Sequence, residues 1–514
     1  MCSWLKRNKR KALEGASPRQ TMNQRSVLTP PVLEPLFGGE LRIRLIRSFF
    51  GSYAFIGIAR LISFLTRVLV ARVMVDSAPQ AFGIYAEGLM IFGILTVVQY
   101  LGIPAHMIRQ DRPLYGAFLA TTLGTGGFLA LLLFWSADFF SGFSLHLPHA
   151  LRIFALVLPV NALSNVPTQY LNRELKLERL VIVEVLGNFI FFAVAGFLAF
   201  SRQNLYCLVW AYAISAAAKA LVLWLIVGKE IRLTLDHGDI GRLIRGSSRL
   251  LILSLLEILF HQVDIGITGA FLTEAEVGLW NMAMVLVLLP STLIETAFYQ
   301  VLYPLFSRYK EEPQKIIRAY RTSTFAIAGI EVPLYATLFV SFPQLTVWIL
   351  GPRWAAAGDL AQLLCIYCIL DPFSVFGQTL IKAQGKDWTL VRFLSLSVAM
   401  MVLFGLVLVP RYQLMGIVLA RYAVFFGDLY LILALVREIG SRNLFTRELG
   451  LLYLSFPLIV ALGSLAESPG WKLGITSATG LLVMMMAAWK IAPTAREFLQ
   501  PLFQKFFRPA GDAE

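Results

Sequence analysis

Two apolar segments decide the fold of this chain, FGIYAEGLMIFGILTVVQYLGIPA at residues 82–105 and VGLWNMAMVLVLLPSTLIETAFYQVLYP at residues 277–304. Each is longer than the roughly 20 apolar residues that an α-helix needs to cross the hydrocarbon core of a bilayer. The whole chain of 514 residues is 57% hydrophobic and only 15% charged. Soluble globular proteins carry about 25% charged residues, so this composition excludes an ordinary soluble enzyme and a disordered protein. It predicts a polytopic membrane protein.

Apolar stretches of this length recur from one end of the chain to the other. They predict transmembrane helices, because the strands of a membrane barrel would alternate apolar and polar residues in shorter segments. The predicted fold is an all-α polytopic membrane protein with about fourteen transmembrane helices, in two six-helix lobes followed by two C-terminal helices. The predicted spans are Phe49–Val73, Phe82–Ala105, Leu114–Ala137, Ala150–Thr168, Leu180–Phe200, Asn204–Val227, Leu250–Leu272, Val277–Tyr303, Tyr320–Val340, Trp354–Leu380, Trp388–Val409, Leu414–Val436, Leu449–Leu465 and Leu473–Trp489.

The distribution of Lys and Arg predicts the orientation of these helices. If the N-terminus is cytoplasmic, the external loops contain Arg202, Arg353, Arg411 and Lys472, and nearly all other basic loop residues face the cytoplasm. This is the positive-inside pattern, so the net charge of +14 reflects topology and predicts no nucleic-acid partner. The predicted organisation is a disordered, basic cytoplasmic tail at 1–48, an N-lobe at 49–228, a cytoplasmic linker at 229–249, a C-lobe at 250–436, helices 13 and 14 at 437–491 and a cytoplasmic tail at 492–514.

The two six-helix blocks contain matching words in the same order, which predicts an internal repeat. Because six helices separate the copies, both have the same orientation in the membrane, and a cleft is expected between two lobes related by an axis along the membrane normal. The matching words are Phe82-Gly83-Ile84-Tyr85 with Val277-Gly278-Leu279-Trp280, Pro104 and Arg109 with Pro304 and Arg308, and Gln169–Arg173 with Gln378–Lys382.

The first span carries two arginines, although a charge at the bilayer centre costs about 2.5–3.5 kcal/mol on insertion scales. Arg60 and Arg67 are seven residues apart, so they share a helix face with Tyr53 and Ser63. One interpretation is an anion-binding stripe that faces the cleft. The alternative is structural pairing, for example of Arg67 with Glu87 on the second span.

A polar seam runs down one face of the seventh span. Ser254, Glu257, His261, Asp264 and Thr268 follow one another at alternating spacings of three and four residues. A histidine between two carboxylates suits a proton or cation site, so one interpretation is coupling of transport to H⁺ or Na⁺. The alternative is that the seam pairs with arginines across the cleft and holds one state closed. We predict no other cofactor and no bound metal.

Further ionisable residues lie within the predicted spans. Arg421 and Asp428 are seven residues apart on one face and are expected to satisfy each other. Asp371-Pro372 predicts a helix break or kink, because proline lacks a backbone donor. Arg72 lies at the end of the first span, from which its side chain can extend to the interface. The remaining intramembrane charges are Glu87, Lys219, Glu295 and Glu331.

Four stretches of the chain carry a resemblance to a known family. The stretches are the run from Arg60 through Phe82–Tyr85 to Leu101-Gly102-Ile103; Asp264 with Val277–Trp280, Pro290 and Tyr303–Arg308; the basic loop Leu171–Lys176; and the turn Gly351-Pro352-Arg353-Trp354. Together they resemble the polysaccharide flippases (Wzx-type) of the multidrug/oligosaccharidyl-lipid/polysaccharide (MOP) exporter superfamily, over most of residues 47–436.

The resemblance implies a V-shaped pair of lobes, with spans one, two, seven and eight lining the cavity. It implies a transporter and not an enzyme: a flippase in the bacterial inner membrane that moves undecaprenyl-diphosphate-linked oligosaccharide for O-antigen, capsule or exopolysaccharide synthesis. Membrane lipids, a polysaccharide polymerase and a chain-length regulator would be its further partners. The rival functions are a MATE-like ion-coupled multidrug exporter, a peptidoglycan lipid-precursor flippase and, as an enzyme, a membrane glycan polymerase or ligase.

Overall fold

The computed structural model describes residues 57–104, 114–174, 176–202, 204–231, 233, 237–309, 312–439, 447–465 and 469–507. Tyr53 and the basic N-terminal segment therefore lie outside the described residues. Residues 51–501 form one compact unit, which contains every contact discussed below. The second unit, Met1–Phe50 with Leu502–Glu514, contributes only the end of the last helix to the described residues.

Within these ranges the regular structure is entirely helical. Two short 3₁₀ segments, Ala137–Gly142 and Pro352–Trp354, precede the fourth and tenth α-helices. We number the α-helices in chain order: α1 (57–73), α2 (Ala78–Tyr100), α3 (Tyr115–Ser136), α4 (Leu147–Arg173), α5 (Leu177–Arg202), α6 (Cys207–Val227), α7 (His237–Phe271), α8 (Glu274–Arg308), α9 (Pro313–Leu350), α10 (Ala355–Gln384), α11 (Asp387–Tyr422), α12 (Phe425–Ile439), α13 (Arg447–Ser464) and α14 (Pro469–Phe507).

The helices confirm the predicted all-α polytopic fold. Twelve helical segments of the described chain are long and apolar enough to cross a membrane. One of them, Asp387–Arg437, has 51 residues, which is far more than a single crossing needs. Gln413 breaks it with φ 51° and ψ −129°, so this segment covers both the eleventh and the twelfth predicted spans. The first predicted span is described only from residue 57 onward.

Proline and capping residues mark where several helices begin. Thr273 and Glu276 form a capping box at the start of α8, in which each side chain satisfies a backbone N–H of the other residue.

Pro372, in contrast, lies inside α10, which continues without a break from Ala355 to Gln384. The helix is therefore not broken at Asp371-Pro372, and the kink stays a prediction. Tyr453 and Tyr320 donate hydrogen bonds to the carbonyls of Ile369 and Phe373 beside this proline, as neighbouring helices do in membrane proteins.

Most helix contacts lie within two groups, which we call the amino-terminal half (57–231) and the carboxy-terminal half (237–439). In the first half, α4 packs against α2, α3 and α6, and α5 packs against α6. In the second half, α10 packs against α8 and α9, and α7 packs against α11. Contacts between the halves are made mainly by α2 with α7 and α8. Of the last two helices, α13 packs on α9, and Thr337 of α9 donates a hydrogen bond to Thr476 of α14.

The matching glycines of the two repeated words meet where α2 crosses α8. A Cβ atom on Gly83 would overlap the carbonyl oxygen of Glu274, four residues before Gly278. A Cβ atom on Gly278 would overlap the carbonyl oxygen of Pro79, four residues before Gly83. The contact is thus reciprocal, and glycine at both positions lets the two backbones touch.

Candidate functional site

The two arginines of α1 have different surroundings. Arg60 is exposed and forms no hydrogen bond or ion pair with another described residue. Arg67 is half-buried, and its Nη1 donates a hydrogen bond to Ser63 Oγ at 3.2 Å. Neither guanidinium is joined to a carboxylate in the described part of the chain. The structure thus brings Arg67 and Ser63 together, while Tyr53 lies outside the described residues.

Arg67 lines a cavity inside the amino-terminal half, which we call the Arg67 chamber. Its volume is about 120 Å³, and its wall comes from α1, α2, α5 and α6. Phe82 of the first repeated word and Phe191 provide apolar surface. The polar lining consists of Ser63, Arg67, Tyr85, Asn188, Tyr212, Ser215 and Lys219.

A second cavity adjoins the first, and we call it the amide chamber. Its volume is about 160 Å³, and it shares Tyr212, Ser215 and Lys219 with the Arg67 chamber. Residues of α4 line its far side at helical spacing, so that they face one way. The polar residues found only in this chamber are Tyr100, Asn161, Ser164, Asn165, Thr168 and Glu184.

Lys219 and Glu184 form an ion pair at the boundary of the two chambers. Lys219 Nζ lies 3.2 Å from Glu184 Oε2, and the two side chains are 30% and 51% exposed. Gly187 allows this approach, because a Cβ there would overlap the Lys219 side chain. The pair is neutral as a whole, so Arg67 is the cation in the lining of the two chambers that has no ion-pair partner among the described residues.

Glu87 does not pair with Arg67, so the predicted Arg67–Glu87 pair is wrong. The Glu87 side chain is 2% exposed and lies against α7, where a Cβ on Gly269 would be 2.8 Å from its Oε1. Neither carboxylate oxygen accepts a hydrogen bond from a described residue. Glu87 thus lies against the α7 backbone of the opposite half and close to Ser144 and Glu274, none of which is a cation.

Asp264 lies in a sealed polar site in the carboxy-terminal half. It is 1% exposed and accepts hydrogen bonds from the Ile265 N–H at 2.9 Å and from Trp280 Nε1 at 3.3 Å. Arg421 Nη1 lies 3.8 Å from Asp264 Oδ2. The Arg421 guanidinium also donates to the Tyr367 hydroxyl at 3.3 Å and lies over the Tyr367 ring, 4.8 Å from its centroid. The carboxylate of Asp264 and the guanidinium of Arg421 are thus both buried, and each is the counter-charge of the other.

The predicted seam on α7 is divided among different partners. Glu257 Oε1 lies 2.6 Å from Lys382 Nζ of α10. His261 is exposed, and its ring meets the Phe260 ring edge-on at 5.2 Å between centroids. Glu257 and Asp264 thus pair with basic residues of their own half, so the interpretation that the seam pairs across the cleft is wrong. No hydrogen bond joins His261 to another described side chain.

Arg421 and Asp428 do not satisfy each other, contrary to the prediction. The helix breaks between Tyr422 and Phe425, so a spacing of seven residues no longer places the two side chains on one face. Asp428 Oδ1 and both oxygens of the fully buried Glu331 accept no hydrogen bond from described residues, and neither does Glu295 Oε1. In the described part of the chain, no group of three or more His, Cys, Asp or Glu could hold a metal ion.

A cluster that the sequence did not reveal joins the halves at one end of the molecule, and we call it the Glu274 latch. Glu274, in the first turn of α8, accepts hydrogen bonds from Gln80 Nε2 at 2.6 Å and from the His146 backbone N–H at 3.1 Å. His146 Nδ1 lies 3.0 Å from Glu274 Oε2, and the Ser144 hydroxyl also donates to the carboxylate. One carboxylate of the second half thus binds three residues of the first.

Two arginines join the halves beside this latch. Arg72 Nε donates to the Ile349 carbonyl at 2.9 Å, and its Nη2 donates to the Trp348 carbonyl. Arg72 therefore caps the end of α9 instead of extending freely to the interface. Arg353 Nη2 lies 2.6 Å from Asp76 Oδ1, although both side chains are largely exposed. This end of the molecule is closed between the halves.

The sequence belongs to a known family. Residues 69–359, more than half of the chain, match the family of polysaccharide biosynthesis proteins, so the chain is a member of that family. It is 22% identical over 304 residues to the teichuronic acid biosynthesis protein TuaB of Bacillus subtilis, a match that covers 56% of this chain and 62% of that protein. It is also 22% identical over 344 residues to the succinoglycan biosynthesis transport protein ExoT of Rhizobium meliloti, covering 64% of this chain and 68% of that protein. The chain therefore spans less than two thirds of the Bacillus relative.

Solved structures show the same fold. The lipid II flippase MurJ in an inward closed conformation superimposes with a TM-score of 0.70 at 13% identity, over 88% of this chain and 99% of that protein. An inward-facing multidrug resistance MATE family transporter of the MOP superfamily superimposes with a TM-score of 0.57 at 17% identity, over 75% of this chain and all of that protein. This chain is thus a multi-pass membrane protein with the MOP-superfamily fold, as the resemblance predicts.

Proposed function

We propose that this protein is a flippase that moves an undecaprenyl-diphosphate-linked oligosaccharide across the bacterial inner membrane for surface polysaccharide synthesis. One observation carries the proposal: Arg60 and Arg67 lie on one helix, and neither is neutralised by a described carboxylate. Membership of the polysaccharide biosynthesis family supports a glycan cargo, and the names of the relatives point the same way.

The cargo has a diphosphate between an apolar tail and a glycan. A guanidinium fork binds phosphate oxygens in bidentate fashion, so arginine suits the diphosphate better than lysine does. The tail would stay in lipid while the diphosphate and glycan cross between the halves. In the present state the Glu274 latch closes one end, and alternating access would require the halves to rock apart there.

The membrane potential favours export of such a cargo. Moving one charge through 100 mV is worth about 2.3 kcal/mol, so two negative charges leaving an inside-negative cell gain about 4.6 kcal/mol. Return of the empty cationic cavity is favoured by the same potential, because it carries positive charge toward the negative side. Uptake of H⁺ or Na⁺ by the α7 seam, where exposed His261 lies between Glu257 and Asp264, would couple the cycle to an ion gradient as well. Both termini would be cytoplasmic, and a polymerase and a chain-length regulator would receive the product.

A transport assay with reconstituted protein tests the proposal. The purified chain is placed in liposomes that contain lipid-linked oligosaccharide extracted from the source bacterium, and appearance of the glycan on the opposite leaflet is measured with an impermeant lectin. We expect Arg60→Gln and Arg67→Gln each to lower the rate at least tenfold, since a charge-assisted contact to phosphate is lost.

The control variant is Arg152→Gln, which removes a cation of the same half that pairs with Asp138 away from both chambers. It should transport at the unchanged rate. Full transport by both arginine variants contradicts the anion-site role. Lipid II and a panel of cationic drugs are assayed in parallel, and selective transport of either class would instead favour the peptidoglycan-precursor flippase or the multidrug exporter.

A further inference from the structure

The amide chamber has a chemistry different from that of the Arg67 chamber beside it. Three kinds of neutral group dominate its lining: the amides of Asn161 and Asn165, the hydroxyls of Ser164 and Thr168, and tyrosine rings. Tyr100 lies beside Asn165, and Tyr212 lies beside Asn161. An amide and a phenol each both donate and accept hydrogen bonds.

The charges of the chamber cancel. Lys219, its cation, is 3.2 Å from Glu184, its carboxylate. A phosphate would have to compete with that carboxylate, a metal ion would have to compete with the ammonium group, and an apolar tail would leave the amides unpaired at a cost. A neutral ligand with many hydroxyl groups meets none of these obstacles, because each hydroxyl can both donate to and accept from an amide.

The position of the chamber relates it to the arginine site. Tyr212, Ser215 and Lys219 line both chambers, so a ligand group in one is adjacent to a group in the other. The amide chamber also reaches Tyr100, at the end of α2 opposite to Gln80 of the Glu274 latch. It therefore lies toward the end of the molecule away from the latch. A volume of about 160 Å³ suits one sugar ring better than several.

We infer that the amide chamber is a sugar-binding subsite, which holds the sugar linked directly to the diphosphate while Arg67 holds the diphosphate itself. This inference rests on the proposed function and adds to it a site for glycan recognition. Asn161 and Asn165 bind hydroxyls of the sugar, Tyr212 separates sugar from phosphate, and the Lys219–Glu184 pair forms the wall between the chambers. The chamber, and not the arginines, then discriminates between glycans, because every such lipid carries the same diphosphate.

Two lipid probes that differ only in the glycan test the inference. The probes are undecaprenyl diphosphate and the lipid-linked oligosaccharide extracted from the source bacterium, and their dissociation constants for the full-length protein are measured in detergent. We expect the wild type to bind the glycosylated lipid more tightly. Asn165→Leu should weaken binding of that lipid about tenfold and leave binding of undecaprenyl diphosphate unchanged. Arg67→Gln should weaken binding of both.

Two further variants complete the test. Asn172→Leu, on the same helix but outside both chambers, should bind both lipids as the wild type does. Tyr212→Phe keeps the shape of the wall and should reproduce part of the Asn165→Leu effect if that variant does not fold. The sugar subsite is overturned if the wild type binds the two lipids equally. It is also overturned if Asn165→Leu and Tyr212→Phe both keep the wild-type preference for the glycosylated lipid. Either result leaves the flippase proposal standing. Failure of the wild type to bind either lipid overturns both.

Discussion

Arg67 of the amino-terminal half and Arg421 of the carboxy-terminal half both lie within apolar helices, and the two arginines have opposite surroundings. Arg421 in the carboxy-terminal half is 2% exposed and is matched by Asp264, the Tyr367 hydroxyl and two aromatic rings. Arg67 in the amino-terminal half faces a cavity and has only the Ser63 hydroxyl as a described partner. A sealed and matched charge stabilises a structure, whereas an unmatched charge beside a cavity is available to a ligand.

The largest expected effect comes from removing the sealed arginine. Arg421→Gln leaves Asp264 buried without its counter-charge, which typically costs about 3–5 kcal/mol of stability. Arg67→Gln leaves no such orphan and should change stability by less than about 1 kcal/mol. Thermal unfolding of both variants in the same detergent measures the difference. If the two variants unfolded at the same temperature, the contrast between a structural and a ligand-binding arginine would be lost.

A smaller effect is expected at the contact between the halves. Glu274→Gln removes the charge that binds Gln80 and His146, and a hydrogen bond to a charged group is worth about 1.5–3 kcal/mol. The state in which this end is open should therefore become at least about tenfold more populated. Distances between spin labels at the exposed positions Phe139 and Trp348, one in each half, report the change.

Asp76→Asn is the matched control for the latch, because it removes an exposed ion pair at the same end, worth only about 0.2–1 kcal/mol. Its distance distribution should change less than that of Glu274→Gln. An unchanged distribution in Glu274→Gln would mean that the backbone contacts alone hold this end closed.

The smallest effect on stability is expected at Glu230, which lies outside the membrane-spanning segments of the amino-terminal half. Hydrogen bonds from Lys176, Tyr170 and Arg179 lower the pKa of Glu230 to about 2. The stabilisation is therefore fully present above pH 4.5, the ordinary pKa, and is lost as the pH falls toward 2. Glu230→Gln should reduce the loss of thermal stability between pH 6 and pH 3. Glu178→Gln, another exposed glutamate nearby, should lose stability over that interval as the wild type does.

The sequence predicted the helices well because spans of the bilayer require long apolar runs. The resemblance between the words that begin at Phe82 and Val277 also marked the two helices that cross at Gly83 and Gly278. Pairing of charges was predicted poorly. Arg421 was paired with Asp428 by helical spacing, and a break after Tyr422 removed the basis for that spacing.

Other features have little or no signal in a single sequence. The partners of Glu274 come from α2 and from the segment before α4, and nothing in the sequence brings them together. The amide chamber was missed because a search for charges passes over neutral amides. The spacing of Asn161, Asn165 and Thr168 along one face of an apolar helix is the signal that could have revealed it.

The crossing of α2 and α8 limits how this protein can move. Since backbone meets backbone at both Gly83 and Gly278, the helices have no room to come closer and no side chains that could slide past one another. Any motion of the two halves that keeps this contact must therefore be a rotation about it, with the crossing of α2 and α8 as the pivot. A single methyl group added at either glycine would overlap the backbone of the other helix and force the two helices apart. Because the contact is reciprocal, the displacement would be the same from either side.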